Sequence, residues 1–372
     1  MAAHVFRIFL AVILMVCASG VHAQIIETDK TPEPAQIFQI AGYDVQPGSR
    51  RDIRLLLPAA VNEPATFIPI TIIHGAQQGP VLAAVAGVHG YEFASILAVD
   101  QLADIINPAQ LSGTLLLVRV ANIPAFEARS PYVNPIDDKN LNRSFPGSAT
   151  GSQTERIADM LSREIVARAD FLMDIHSGDG AEFLEAFTGA YGGPLATDFD
   201  LALKVAKGFG FPNIVRYAMN TQAQIDTGRS LNRQGVAAGI PTILVEIGQN
   251  GSRDKAHIDA IVTGIKNALR ILAISESPMR NVPPAQRFFE GTRSVSANHS
   301  GLFFPEQTGG RYIWKGDLIG TIRDYSGKEV EKLYAPINGY VLYGLKGPPV
   351  RAGDGVITIG TLTSGFKQES SE

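Results

Sequence analysis

The chain has 372 residues, 45% of them hydrophobic, and carries 32 Lys and Arg against 36 Asp and Glu for a formal net charge of −4. No basic stripe or Lys/Arg cluster interrupts this mildly acidic balance, so neither nucleic acid nor an anionic lipid surface is an expected partner. A lone cysteine, Cys17, excludes a disulfide framework, and the length suffices for one sizeable and one small domain.

Residues 1–23 have the pattern of a signal peptide: Arg7, an apolar stretch over 8–18, and the small-x-small site Val21-His22-Ala23 before Gln24. The apolar stretch is too short to span a bilayer comfortably, and Val16 before Cys17 is bulkier than a lipidation site usually accommodates. The expectation is an exported protein, periplasmic or secreted, with no stable membrane insertion after cleavage. A catalytic domain is expected over 24–283, and from Phe67 to about Ala273 the chain alternates apolar strand runs with amphipathic segments. Strands are predicted at 67–73, 81–86, 114–120, 171–175, 213–217 and 242–247, and helices at 91–106, 153–169, 198–208, 230–238 and 254–273. In the last helix Ile258, Ile261, Ile265, Leu269 and Leu272 share a face. Near-continuous apolar strands between helices predict an α/β fold with the sheet covered on both sides. Pro278, Pro283 and Pro284 mark a linker, and from 284 to 372 short strand-like runs separated by glycine turns predict a small all-β barrel or sandwich.

The strand at 81–86 runs into Gly87-Val-His89-Gly-Tyr-Glu92. On a helical first turn, an imidazole and a carboxylate at this spacing can face one metal ion. The strand at 171–175 likewise ends on His176, in Asp-Ile-His-Ser-Gly. Two closely spaced ligands and a remote histidine leave a fourth position for water, the pattern of a catalytic zinc, one per chain. For His89 the alternative is a turn histidine that only hydrogen-bonds its loop. His74 is the rival third histidine, but it lacks the Asp-x-His context and reads as structural. Glu246 ends a buried strand, where a carboxylate is costly without a partner. Beside a metal-bound water it would be the general base; otherwise it belongs to a buried ion pair. Asn142 and Arg143, in a loop closed by Pro146 and Gly147, suit a substrate carboxylate, or else cap a turn and pair with a surface acid. Arg129 would stabilise an oxyanion or be a solvated loop residue. His89, His176 and Glu246 all sit at carboxyl ends of strands, where open α/β sheets place ligands. Ser177 adjoins His176 on a strand and so points to the opposite face; no Gly-x-Ser-x-Gly elbow or phosphate-binding glycine loop occurs.

In this order the segments Gly-Val-His89-Gly-Tyr-Glu92, Asn-Leu-Asn142-Arg143-Ser-Phe-Pro-Gly, Asp-Ile-His176-Ser and Val-Glu246-Ile-Gly resemble the succinylglutamate desuccinylase/aspartoacylase family of the zinc carboxypeptidase superfamily. The resemblance implies a zinc-carboxypeptidase-like mixed sheet sandwiched by helices, with a small C-terminal all-β domain. It also implies zinc held by His89, Glu92 and His176, Glu246 as general base, Asn142 and Arg143 on a substrate carboxylate, and Arg129 at the oxyanion. True carboxypeptidases use a tyrosine shortly before the catalytic glutamate, and none occurs between 218 and 245, which favours a deacylase. The tail segment Tyr334-Ala-Pro336-Ile-Asn-Gly339 resembles lipoyl-type hairpins but lacks a carrier-lysine motif, so the tail reads as a shield over the site. The namesake desuccinylases act in the cytoplasm, so their substrate is not carried over to an exported chain. The expected function is zinc-dependent hydrolysis of an amide in small acyl-amino acid or peptide substrates bearing a carboxylate. Two alternatives stand: an exported metallocarboxypeptidase trimming peptides or cell-wall fragments, and an exported binding protein without catalysis.

Overall fold

Strands ending on one edge of a mixed sheet bring the site together. The computed structural model describes residues 33–194 and 198–363; the expected signal peptide lies outside them. A short hairpin of β1 (Phe38–Ile40) and β2 (Tyr43–Val45) precedes β3 (Ser49–Leu57), which pairs antiparallel with β4 (Thr66–His74). Next come β5 (Gln77–Ala86), α1 (Phe93–Ile105), β6 (Ser112–Val118), α2 (Ile123–Ala128) and a small hairpin of β7 (Val133–Asn134) and β8 (Lys139–Asn140). The chain continues through α3 (Gln153–Glu164), β9 (Phe171–Ser177), β10 (Glu182–Gly192), α4 (Phe199–Phe209), β11 (Asn213–Ala218), α5 (Gln222–Asp226), α6 (Leu231–Ala237), β12 (Thr242–Gln249) and α7 (Lys255–Ile271). The tail is all strand: β13 (Arg287–Ser296), β14 (Gly301–Pro305), β15 (Tyr312–Ile313), β16 (Leu318–Arg323), β17 (Glu329–Tyr334), β18 (Gly339–Leu345), β19 (Pro349–Val350) and β20 (Gly355–Leu362).

Among the described residues, a 12-stranded sheet runs β15-β18-β20-β13-β11-β10-β12-β9-β5-β6-β4-β3, and β14, β16, β17 and β19 form a separate four-stranded sheet. β6, β5, β9 and β12 are mutually parallel, while β10 lies antiparallel to β12. The two-residue period of β5 splits its side chains between two cores. Leu82, Ala84 and Ala86 pack with α1, α4 and α7 through Val99, Val205 and Ile265; Ala83 and Val85 pack with α3 through Ile157 and Leu161. Each fully buried leucine, valine or isoleucine among these stabilises the fold by about 1.5–3 kcal/mol. On α7, Ile258, Ile261, Ile265 and Leu269 are buried as the sequence periodicity requires, and Leu272 is the C-cap.

The predicted strands all lie on observed ones, with the third ending at Val118 rather than residue 120. Besides the short β1, β2, β7 and β8, two longer strands escaped prediction. β3 is a sheet edge whose Arg50, Arg51, Asp52 and Arg54 stay exposed, so only Ile53, Leu55 and Leu57 show the buried period. In β10, glutamates and glycines (Glu-Phe-Leu-Glu-Ala-Phe-Thr-Gly-Ala-Tyr-Gly) dilute the apolar pattern, although the strand pairs on both sides. The tail is joined to the rest by strand pairing: β13 runs parallel to β11, and Glu182–Leu184 of β10 pair with Tyr343–Leu345 of β18.

Candidate metal centre

β5, β9 and β12 are parallel neighbours, so their carboxyl ends lie on one edge of the sheet. His176 and Glu246 are Cα partners in the β9–β12 register and therefore present their side chains to the same face. His89 and Glu92 reach this edge from the turn after β5. Here the expectation of a helical first turn is corrected: Glu92 is the N-cap of α1 with φ −91° and ψ 70°, and His89 precedes the helix. The turn is pinned by close packing. Gly87 has φ +67°, and a Cβ on Gly90 would sit 2.2 Å from the carbonyl carbon of Ala125 in α2, so nothing larger than glycine fits.

Glu92 lies between the two imidazoles. Its Oε1 is 2.6 Å from His89 Nδ1 and its Oε2 is 2.9 Å from His176 Nδ1. All three residues are buried, and one ligand atom from each lies within 4.8 Å of the others. The far nitrogens also face polar groups: His89 Nε2 is 3.3 Å from Asn140 Oδ1, and His176 Nε2 makes an ion-pair contact with Asp174 Oδ1 at 2.8 Å that lacks hydrogen-bond geometry. Asp174 Oδ2 in turn accepts from Asn232 Nδ2 at 3.0 Å. Imidazoles fixed from behind by a carboxylate or an amide, with the opposite nitrogens converging, are what a metal site needs to set ring orientation.

The electrostatics point the same way. Burial pushes the Glu92 carboxyl up, but the charges and hydrogen bonds of His176 and His89 outweigh it and hold the group at about 2. Burial lowers His176, yet Asp174 and Glu92 raise it well above its ordinary value. The cluster thus favours positive charge at its centre, and a divalent cation bound by one oxygen and two nitrogens meets that demand. The residues fit zinc.

Beside this set opens a cavity of about 530 Å³ whose wall includes His89, Glu92, Asn142, Arg143, His176 and Glu246. Burial drives the Glu246 carboxyl well above the usual range; His176 opposes this, and Glu92, Glu182 and Asp174 add to it. Asn142 Oδ1 accepts from Leu231 N at 3.0 Å, which ties its loop to α6. Arg143 donates to the Asn142 carbonyl oxygen at 2.7 Å. Arg129 does not join them. It caps α2 in the left-handed conformation, φ 54°, its N–H bonded to the carbonyls of Ala125 and Phe126, and it is exposed and not among the residues that line the cavity. His74 is structural, as read: it binds Thr114 Oγ1 at 2.9 Å and the Gln36 carbonyl at 2.6 Å.

Several wall residues were not singled out from the sequence. Arg229 and Arg233 enter from the stretch leading into and along α6, Tyr132 from the loop after α2, Glu182 from the start of β10, and Tyr343 from β18 in the tail. Two arginines within Thr-Gly-Arg-Ser-Leu-Asn-Arg, upstream of the glutamate strand, were the available signal. Nothing local marked Tyr343.

The family model described as the succinylglutamate desuccinylase/aspartoacylase catalytic domain matches residues 78–272. An N-alpha-acetyl-L-2,4-diaminobutyric acid deacetylase from Halomonas elongata is 29% identical over 278 residues, 73% of this chain and 79% of the relative. The fold matches the crystal structure of a succinylglutamate desuccinylase/aspartoacylase from Rhodobacter sphaeroides with a TM-score of 0.74 and 23% identity, covering 90% of this chain and 100% of that one. It also matches the product-bound ectoine utilization protein EutE (DoeB) from Ruegeria pomeroyi with a TM-score of 0.75 and 24% identity, over 88% and 99% of the two chains. With more than half its length matched by the family model and the ligand set in place, the chain belongs to the succinylglutamate desuccinylase/aspartoacylase family, a family of amide-bond deacylases.

Proposed function

We propose that the protein is a zinc-dependent deacylase that hydrolyses the amide bond of small carboxylate-bearing substrates, N-acyl amino acids foremost. The observation that carries this reading is the convergence of His89, Glu92 and His176 at a cavity where Glu246 stands in register beside His176. These residues would hold one zinc per chain, with room for a fourth ligand. Bound there, zinc supplies Lewis acidity for the amide carbonyl and lowers the pKa of a water. Glu246 takes the proton of the attacking water and passes it to the leaving nitrogen; its raised proton affinity suits both halves of that transfer. Arg143, with Arg229 and Arg233, receives the substrate carboxylate, because a guanidinium fork matches its two oxygens. The Halomonas relative, by its name, acts on an N-acetylated amino acid, which supports the same substrate class.

A panel of N-acyl amino acids, short peptides and peptidoglycan fragments, each with its carboxamide counterpart, tests the reading. The acids should be cleaved faster by ~10²-fold or more, because an amide leaves the arginines unpaired. Equal rates would refute the carboxylate role, and cleavage of peptides alone would make the protein a metallocarboxypeptidase. Export belongs to the same proposal, on the pattern of residues 1–23. Protein recovered from the medium or periplasm should begin at Gln24, and retention of Met1 in the cytoplasm would contradict it.

A further inference from the structure

Arg229 and Arg233 line the cavity without a counter-charge of their own. Among the described residues neither forms an ion pair; Arg229 Nη1 reaches only the Phe145 carbonyl, at 3.5 Å, and Arg233 has no hydrogen-bond partner. A guanidinium with so little to hold it is placed by its stem and backbone. The turn that carries these two residues therefore decides where a carboxylate can bind.

That turn is held from outside. From 220 to 229 every residue but Ile225 and Gly228 is exposed. Ser230, the N-cap of α6, makes no capping bond; its hydroxyl donates to Asn232 Oδ1 at 2.6 Å, and Asn232 Nδ2 donates to Asp174 Oδ2. The first N–H of the helix, that of Leu231, is taken instead by Asn142 Oδ1 at 3.0 Å, and both residues are buried. Beside this bond Phe145 N donates to the Arg229 carbonyl at 3.1 Å. A Cβ on Gly228 would sit 2.6 Å from Arg233 Cβ, so the stem of Arg233 lies folded back on the same turn.

We propose that Asn142 is a positioning residue: its carboxamide oxygen clasps the start of α6 and so sets Arg229 and Arg233 for the substrate carboxylate. This rests on the carboxylate role given to those arginines above, and it differs from the direct grip on a carboxylate expected of Asn142 from the sequence. The oxygen is taken up by Leu231, and a carboxylate only accepts, so Nδ2 alone could meet it directly. One loop then places all three guanidiniums. Arg143 follows Asn142 within it, and the turn bearing Arg229 and Arg233 hangs on it through Leu231 N and the Arg229 carbonyl.

The test is the ratio of kcat/KM for an N-acetyl amino acid over its carboxamide, measured on zinc-loaded enzyme in a double-mutant cycle. Asn142→Ala should lower the ratio by about tenfold or more, mainly through KM for the acid, because misplaced guanidiniums bind the charge less well. In the Arg229→Ala/Arg233→Ala background the same substitution should change it by no more than about twofold, since the groups it places are gone. An equal loss in both backgrounds would mean that Asn142 touches the carboxylate itself, and no loss in either would make its bond merely structural; each overturns the proposal. Hydrogen exchange gives a readout independent of turnover. The Leu231 amide should exchange about tenfold faster or more in Asn142→Ala, and as in wild type in Asn142→Asp, which keeps the acceptor. Unchanged exchange in Asn142→Ala overturns the clasp. A wild-type ratio near one would sink the carboxylate reading instead, and exchange would still decide the clasp. Should Asn142→Ala fail to fold, Gly228→Ala displaces the Arg233 stem without touching Asn142 and should lower the ratio likewise; an unchanged ratio there overturns the proposal.

Discussion

Asp174 shows how much of the site lies behind the ligands. It shares a strand with His176 by the two-residue period, places a carboxylate oxygen 2.8 Å from Nε2 of that ring as an ion-pair contact, and is itself held by Asn232. Asp174→Asn keeps the shape but removes the charge that makes the imidazole a strong donor. Zinc affinity should fall by about 10–100-fold, measured by competition with a chelator of known affinity. Unchanged affinity would mean that the contact is incidental. His89, Glu92, His176 and Glu246 were legible in the sequence because each ends a recognisable apolar strand or follows one directly. Arg129 is the one expected site residue that does not line the cavity; its backbone caps α2. Arg229, Arg233, Tyr132 and Glu182 gain their meaning only from folding, since none lies beside a ligand in sequence.

The decisive element is the turn between β5 and α1. Its ligands are set by the close approach of Gly90 to α2, not by helical spacing. Gly90→Ala would force a methyl group onto the backbone of Ala125. The expected cost is about 1–3 kcal/mol of stability, together with loss of zinc, read by denaturant melts and metal content of the same samples. A variant as stable as wild type with full zinc would show that α2 can shift without disturbing His89. Buried strands were legible by their apolar runs and α7 by its period. β3 and β10 were not, because an edge strand is half exposed and β10 carries Glu182, Glu185 and glycines within its apolar run.

Across the whole molecule, the tail and the α/β portion share one sheet through the β13–β11 and β18–β10 pairings. Tyr343 of β18 thereby reaches the cavity wall, so part of the site comes from strands that read in sequence only as a β-rich appendage. The alternation of strands and helices and the order of the four motifs revealed the fold class and family; non-local strand pairing is invisible to such patterns, which is why the tail's share of the site was not foreseen residue by residue. The central claim is that Glu246 acts as base beside a zinc ion that it does not hold. It is tested most directly by turnover of N-acetyl amino acids by wild type and Glu246→Gln, with zinc measured in the same samples. Both proteins should carry about one zinc per chain, and turnover should fall by ~10²–10⁴-fold in the variant with little change in KM. Full activity without zinc, or equal turnover in the two proteins, would contradict the account.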